Sequence, residues 1–164
     1  MTRTLVIGLG NPLMGDDGAG VAALERLRGS WELPDEVELV DGGTWGMNLL
    51  PIIESAERLI LLDAIRTGAA PGTLTVLERA ELPRYFSLKL SPHQIDLREV
   101  LALAELRGAL PLDLVALGIE PARVEMGVSL SPPVEAAMPK LVDLALDRLE
   151  QAGHRCFRRT PAHA

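Results

Sequence analysis

The sequence is poor in aromatic residues, in cysteine and in long apolar runs. Aromatic residues make up 3% of the 164 positions, so a core has to be built from Leu, Val, Ile and Ala. The single cysteine, Cys156, excludes an internal disulfide and is consistent with a reducing cytoplasm. The longest apolar runs, such as Leu59–Leu62, have the length of a strand and are too short to cross a bilayer. The chain also opens without a charged and apolar leader, so we predict a cytoplasmic protein with no membrane segment.

Positive charge is scarce as well. The chain has 16 Lys and Arg against 23 Asp and Glu, which gives a net charge of −7. Proteins that grip phosphate backbones usually carry a basic face, so nucleic acid is a poor candidate as a partner. Hydrophobic residues reach 48%, which is enough to fill one core. In the absence of repeats and low-complexity linkers, we predict a single α/β domain over residues 1–153 and a polar C-terminal tail over residues 154–164.

Strand-like runs alternate with helix-like patterns along the chain. Five runs are typical of strands, the fourth of them at an edge: Thr4–Leu9, Val37–Val40, Leu59–Leu62, Thr73–Leu77 and Leu112–Ile119. Apolar residues spaced by three and four predict helices over Gly18–Arg28, over Trp45–Ser55, after Ser91 and around Val134–Leu149. Pro139 in the last helix predicts either a kink or a later start. The alternation predicts an α/β fold with a mostly parallel, five-stranded sheet, helices on both faces and ligands at the carboxyl ends of the strands.

The loop after the first strand is rich in glycine but does not match a nucleotide-binding loop. It reads Gly8-Leu9-Gly10-Asn11-Pro12-Leu13-Met14-Gly15-Asp16-Asp17-Gly18. The third glycine position of a dinucleotide fingerprint is occupied by Leu13, and Pro12 removes an N–H donor where phosphate would bind. Two adjacent carboxylates would also repel a pyrophosphate. We therefore predict no nucleotide cofactor.

Carboxylates follow two of the predicted strands. One of Asp16 and Asp17 can cap the next helix, which leaves the other to point into a cleft. Asp63 ends a very apolar strand, where a carboxylate needs hydrogen bonds or a cation. Each of these aspartates also has an ordinary explanation as a cap or turn residue. Asp41, which precedes two glycines, has the sequence of a tight turn.

The segment Ser91-Pro92-His93-Gln94 has the signature of a helix start, with a capping serine and proline at the first helical position. His93 then meets the positive end of the helix dipole, which favours the neutral imidazole that binds metal or accepts a proton. A surface histidine in a first turn is the alternative. If His93 instead faces the cleft, its imidazole and the carboxylates of Asp17 and Asp63 would make a mixed oxygen and nitrogen site that suits Ni, Mn, Fe or Zn.

In their order along the chain, these segments resemble the [NiFe]-hydrogenase maturation endopeptidases. The resemblance extends from about residue 4 to residue 150 and includes the glycine-rich loop, Asp41-Gly42-Gly43-Thr44, Leu62-Asp63-Ala64, Ser91-Pro92-His93-Gln94, Gly118-Ile119-x-Pro121 and Leu130-Ser131-Pro132-x-Val134-Glu135.

The resemblance implies a mixed, twisted sheet and an enzyme that removes the C-terminal extension of a hydrogenase large-subunit precursor after nickel insertion. It implies that Asp17, Asp63 and His93 contact nickel carried by the precursor, which serves as a recognition element. The same side chains would position or deprotonate the attacking water, as in an aspartyl endopeptidase, or the metal would polarise the carbonyl or activate that water. Asp41 and Asn11 would support the loops around them.

Two other functions fit parts of the sequence. The segment Gly8-Leu9-Gly10-Asn11-Pro12 also resembles the opening of bacterial peptidyl-tRNA hydrolases, but those need an Asn and a following His near the first helix, where this chain has Asp16-Asp17. A metal-sensing or metallochaperone module would use the same three ligands without cleavage. The chain has no His-rich or Cys-rich tract for metal storage or delivery.

Overall fold

A five-stranded sheet lies at the centre of the computed structural model, which describes residues 3–42, 46–88 and 92–161, with the backbone alone for 92–96. The elements in chain order are β1 (Thr4–Gly8), α1 (Ala19–Ser30), β2 (Trp31–Glu32), β3 (Val37–Asp41), α2 (Leu50–Glu54), β4 (Arg58–Ala64), β5 (Leu74–Glu78), α3 (Leu82–Leu88), α4 (Pro92–Leu106), β6 (Asp113–Ile119), α5 (Pro132–Gln151) and β7 (Phe157–Arg158). Short 3₁₀ helices cover Gly15–Gly18, Gly46–Leu49 and Arg79–Glu81.

The sheet is mixed and mostly parallel, as predicted. Its strand order is β3-β1-β4-β6-β5, and the pairs β1–β3, β1–β4 and β4–β6 are parallel. The edge strand β5 runs antiparallel to β6, which confirms the edge position predicted for Thr73–Leu77. The carboxyl ends of β1, β3, β4 and β6 therefore meet along one edge of the sheet, which we call the carboxyl edge; their starts form the amino edge.

The core is divided into two layers by the sheet. Along β4, Leu59 and Leu61 face α2, α3 and α4, whereas Ile60 and Leu62 face α1 and α5. This alternation follows from the two-residue period of a strand, since successive side chains point to opposite faces. Because both faces are covered by helices, the strand is apolar throughout and its polar chemistry is confined to the ends.

Some helix boundaries differ from the predictions. Trp45 lies outside the described residues, and the predicted helix after it is a 3₁₀ turn followed by the five-residue α2. The helix α5 begins at Pro132, so the later start considered for Pro139 is wrong; this proline lies inside the helix. The helix α4 begins at Pro92 as predicted, whereas Ser91 lies outside the described residues.

The segment assigned to the tail packs against the domain over its first residues. His154 is buried and lies 2.8 Å from Thr4 Oγ1, measured from its Nε2 atom. Strand β7 pairs antiparallel with β2. Within the described residues, no helix combines the length and the apolar character needed to cross a membrane.

Candidate active site

Two glycines bring the first loop and helix close to the carboxyl ends of β1 and β4. Gly10 has a φ of 105°, and a Cβ atom on it would lie 1.9 Å from the carbonyl oxygen of Asp17. A Cβ atom on Gly20 would lie 2.1 Å from the carbonyl oxygen of Leu62, where α1 crosses β4. Larger residues would force these backbones apart. The 3₁₀ helix that contains Asp17 therefore packs against β4, which ends near Asp63.

Asp17 is buried and is held by the loop before it. Its Oδ2 atom accepts a hydrogen bond of 2.8 Å from the backbone N–H of Asn11. The Oδ1 atom of Asn11 in turn accepts a bond of 2.9 Å from the N–H of Leu13. Asn11 thus shapes the loop beside Asp17, as the resemblance implies.

Asp63 is completely buried and accepts hydrogen bonds from Ala64 and Tyr85. Its Oδ1 atom accepts a hydrogen bond of 2.8 Å from the N–H of Ala64, and its Oδ2 atom accepts one of 2.6 Å from the hydroxyl of Tyr85. Burial, and secondarily the negative charge of Asp17, raises the pKa of Tyr85 well above its ordinary value of 10.0, so the hydroxyl keeps its proton. Tyr85 is thus close enough to Asp17 to sense its charge while it contacts Asp63. Both aspartates therefore lie at the carboxyl edge, where Tyr85 contacts Asp63.

Asp16 has a structural role that differs from the predicted choice of a helix cap. Neither Asp16 nor Asp17 caps the 3₁₀ helix or α1 with its side chain, so that expectation is wrong. Asp16 instead accepts hydrogen bonds from the N–H groups of Ala122, Arg123 and Ser131 and from the Ser131 hydroxyl, at 2.7 to 3.0 Å. Burial opposes ionisation here, but these four donors outweigh it and lower the pKa of Asp16 below 3.8. The residue joins the first loop to the segment before α5.

His93 is the second residue of α4, in the first turn of the helix, as predicted. Its side chain lies outside the described part of the structure, so its distance to Asp17 and Asp63 stays untested. Among the side chains that the structure does describe, no three His, Cys, Asp or Glu residues lie close enough to hold a metal ion. Two buried carboxylates are nonetheless donors that fit a divalent cation such as nickel.

Tyr85 and helix α3 were missed in the sequence. Two signals were available: Tyr85 is the single tyrosine of the chain, and Leu82 precedes it at a helical spacing of three. The structure adds that Glu78 and Glu81 form a capping box ahead of this helix. Nothing in the local sequence, however, tells which carboxylate the hydroxyl contacts.

An exposed apolar surface lies beside the aspartates. The loop after β6 pairs with the first loop, because Gly127 N–H donates to the carbonyl of Leu13 and Gly15 N–H donates to the carbonyl of Gly127. Met126 and Val128 are 89% and 79% exposed. With Asp16 and Gly15, they line a cavity of about 190 Å³. Leu13, Met126 and Val128, which we call the apolar rim, are large apolar side chains that an isolated domain gains nothing by exposing.

Comparisons with known proteins agree on one family. The family model described as hydrogenase maturation protease matches residues 21–148. The Hydrogenase 2 maturation protease of Escherichia coli strain K12 is 38% identical over 162 residues, which cover 98% of this chain and 99% of that protein. The hydrogenase expression/formation protein HupM of Azotobacter chroococcum is 42% identical over 151 residues, or 91% of this chain and 72% of that protein.

The solved structures give the same result for the fold. The hydrogenase maturating endopeptidase HybD from E. coli superposes with a TM-score of 0.92 at 38% identity, covering 96% of this chain and 98% of that one. The [NiFe] hydrogenase maturation protease HybD from Thermococcus kodakarensis gives a TM-score of 0.74 at 27% identity, covering 90% and 99%. On the profile match, the near full-length relatives and the shared fold, this chain belongs to the hydrogenase maturation protease family and is a hydrolase.

Proposed function

We propose that this protein is an endopeptidase that removes the C-terminal extension of a [NiFe]-hydrogenase large-subunit precursor after nickel insertion. One observation carries the proposal: Asp17 and Asp63 are both buried at the carboxyl edge, where Tyr85 contacts Asp63. The names of the E. coli relatives, a maturation protease and a maturating endopeptidase, support proteolysis and the hydrogenase as its target. A cytoplasmic location stays a prediction of the sequence.

The charge of this edge supports contact with a cation. In the described part of the chain, Asp16, Asp17 and Glu120 are buried and form no ion pair with Lys or Arg. Among the described residues, Glu120 accepts hydrogen bonds from the N–H and hydroxyl groups of Thr67 and from the N–H of Gly68, all of them neutral donors. Uncompensated carboxylates in a buried setting create a negative potential that favours a bound cation.

The cation in this proposal is the nickel ion that the precursor carries as part of the substrate. Asp17, Asp63 and His93 would contact it and so register that the precursor is loaded. A loaded precursor would place its scissile bond against the same carboxylates, one of which would orient and deprotonate the attacking water. The nickel ion would polarise the reacting carbonyl group. An enzyme of this design needs no metal of its own.

The apolar rim supports a protein substrate. Met126 and Val128 line a cavity beside Asp16, the neighbour of Asp17. A precursor segment that reaches the carboxylates would cover these side chains and remove their apolar area from water. The acidic edge and the apolar rim would thus read two features of one substrate, its metal and its peptide.

The test is cleavage of purified precursor in nickel-loaded and nickel-free form, followed by mass spectrometry. We expect the wild type to shorten only the loaded precursor. Asp17→Asn and His93→Ala should keep their circular dichroism spectra and lose at least about 100-fold in cleavage rate, as expected for a lost base or positioning group. The matched control is Asp113→Asn, which removes an exposed carboxylate at the amino edge.

Each alternative result has a clear meaning. Normal cleavage by both site variants would refute the assignment of Asp17 and His93. Stable binding of the loaded precursor without loss of mass would instead support a metal-sensing or metallochaperone module. Equal cleavage of the nickel-free precursor would refute nickel as the recognition element.

A further inference from the structure

Tyr85 contacts Asp63 but has no role in the proposed reaction as described above. The residue is fully buried, and its hydroxyl lies 2.6 Å from Oδ2 of Asp63. This distance is typical of a short, charge-assisted bond from a hydroxyl to a carboxylate. A buried hydroxyl needs a partner, and here the partner is a residue of the candidate site.

Packing alone does not explain a tyrosine at this position. The ring belongs to the core layer between the sheet and α2–α4, and it lies 5.4 Å from the ring of Phe86. A phenylalanine would fill the same volume without burying a polar group. The hydroxyl is therefore the part of Tyr85 that calls for a separate explanation, and its contact is Asp63.

The helix that carries Tyr85 is also attached to α4. Arg98 of α4 donates a hydrogen bond of 2.9 Å from Nη2 to the carbonyl of Phe86. Its guanidinium carbon lies 5.5 Å from the centre of the Phe86 ring, within range of a cation–π contact. These contacts join α3 to the helix whose second residue is His93. Tyr85 thus belongs to a short connection between β4, which ends at the site, and α4.

We propose that Tyr85 is a positioning residue that fixes the orientation of the Asp63 carboxylate for its contact with the nickel-bearing substrate. The inference rests on the proposed function, since it takes Asp63 as part of the site. The Ala64 N–H and the Tyr85 hydroxyl hold one oxygen each, so the carboxylate cannot rotate without breaking both bonds. Carboxylates that contact metals are commonly oriented by such outer hydrogen bonds, whose loss costs about 10–100-fold in affinity or activity.

The test compares Tyr85→Phe with Thr4→Val. Both remove one buried hydroxyl, but Thr4 lies at the amino edge, where it contacts His154. We expect Tyr85→Phe to lower kcat/KM for nickel-loaded precursor by about tenfold, because Asp63 contacts the nickel by which the precursor is recognised. Isothermal titration with nickel ion alone should give a Kd about tenfold higher for Tyr85→Phe. Thr4→Val should match the wild type in both, while the two variants lose similar thermal stability.

The outcomes separate this inference from the proposed function. Asp63→Asn, measured alongside, should lose cleavage; if it cleaves normally, the proposed site is wrong. If Asp63→Asn fails but Tyr85→Phe keeps the wild-type value of either kcat/KM or nickel affinity, the positioning role is overturned. A role in packing alone predicts this second result, because phenylalanine preserves the ring.

Discussion

The two edges of the sheet satisfy polar side chains in different ways. At the amino edge, the first residues of two neighbouring strands pair, with Arg58 Nε at 2.8 Å from Asp113 Oδ2. Nearby, Thr4 and His154 satisfy each other through one hydrogen bond. In these two contacts, each polar group meets a partner of opposite charge or a neutral group.

At the carboxyl edge, buried carboxylates are satisfied by neutral donors. Asp16 accepts from three backbone N–H groups and a hydroxyl, and Asp17 accepts from the N–H of Asn11. Neutral donors satisfy the oxygen atoms without cancelling the charge. The comparison teaches that hydrogen bonding and charge compensation are separate requirements, and that an edge which meets only the first can hold a cation.

The largest expected effect comes from removing the carboxylate of Asp16, which has a structural role at the carboxyl edge. Asp16→Ala should lower the free energy of unfolding by about 3 kcal/mol or more, because several buried N–H donors lose their acceptor. Asp113→Ala at the amino edge should cost less than about 1 kcal/mol, since its ion pair is largely exposed. Urea unfolding measures both. Equal costs at the two edges would contradict the distinction.

The next effect concerns the apolar rim, which has an exposed counterpart at the amino edge. Met126→Gln should raise KM for the precursor by about tenfold, since about 1.4 kcal/mol of apolar contact would be lost. Leu112→Gln, just before β6, is the matched control because Leu112 is 84% exposed and Met126 is 89% exposed. Steady-state cleavage assays give both values. An unchanged KM for Met126→Gln would show that the precursor does not cover the rim.

The smallest expected effect is a difference between the two edges in how the free energy of unfolding depends on pH. Burial and the charge of Arg58 lower the pKa of His154 below 6.5, although Glu36 opposes the shift. The unfolded chain then binds the proton more readily, so unfolding free energy should decrease as the pH falls through 6.5. Asp16, whose pKa lies below 3.8, should contribute its own loss only as the pH falls below that value.

Urea unfolding of the wild type and His154→Gln across these pH ranges checks the assignment. The variant should lack the decrease near pH 6.5 and keep the one at acid pH. A decrease near pH 6.5 of the same size in both proteins would mean that another group titrates there.

The limits of prediction follow from how far apart in sequence the contacts lie. The placement of Asp17 and Asp63 at one edge could be predicted, because Asp17 follows a buried strand, Asp63 lies near the end of another, and parallel strands end at the same edge. The role of Asp16 could not, since its partner Ser131 is 115 residues away. Tyr85 lies 22 residues from Asp63 in the sequence, and the strand pattern does not predict where its helix packs. Contacts of this kind depend on how helices dock, which local periodicity does not record.

The sequence by itself determined the layers of the fold, the edge at which the candidate site lies and the resemblance to a family of maturation endopeptidases. It could do so because strand periodicity, glycine turns and helix starts are local signals. Only the tertiary structure decided which donors hold Asp16 and that the single tyrosine, Tyr85, contacts Asp63. The physical reason is that a buried carboxylate takes its role from the donors that surround it, and folding alone brings those donors to it.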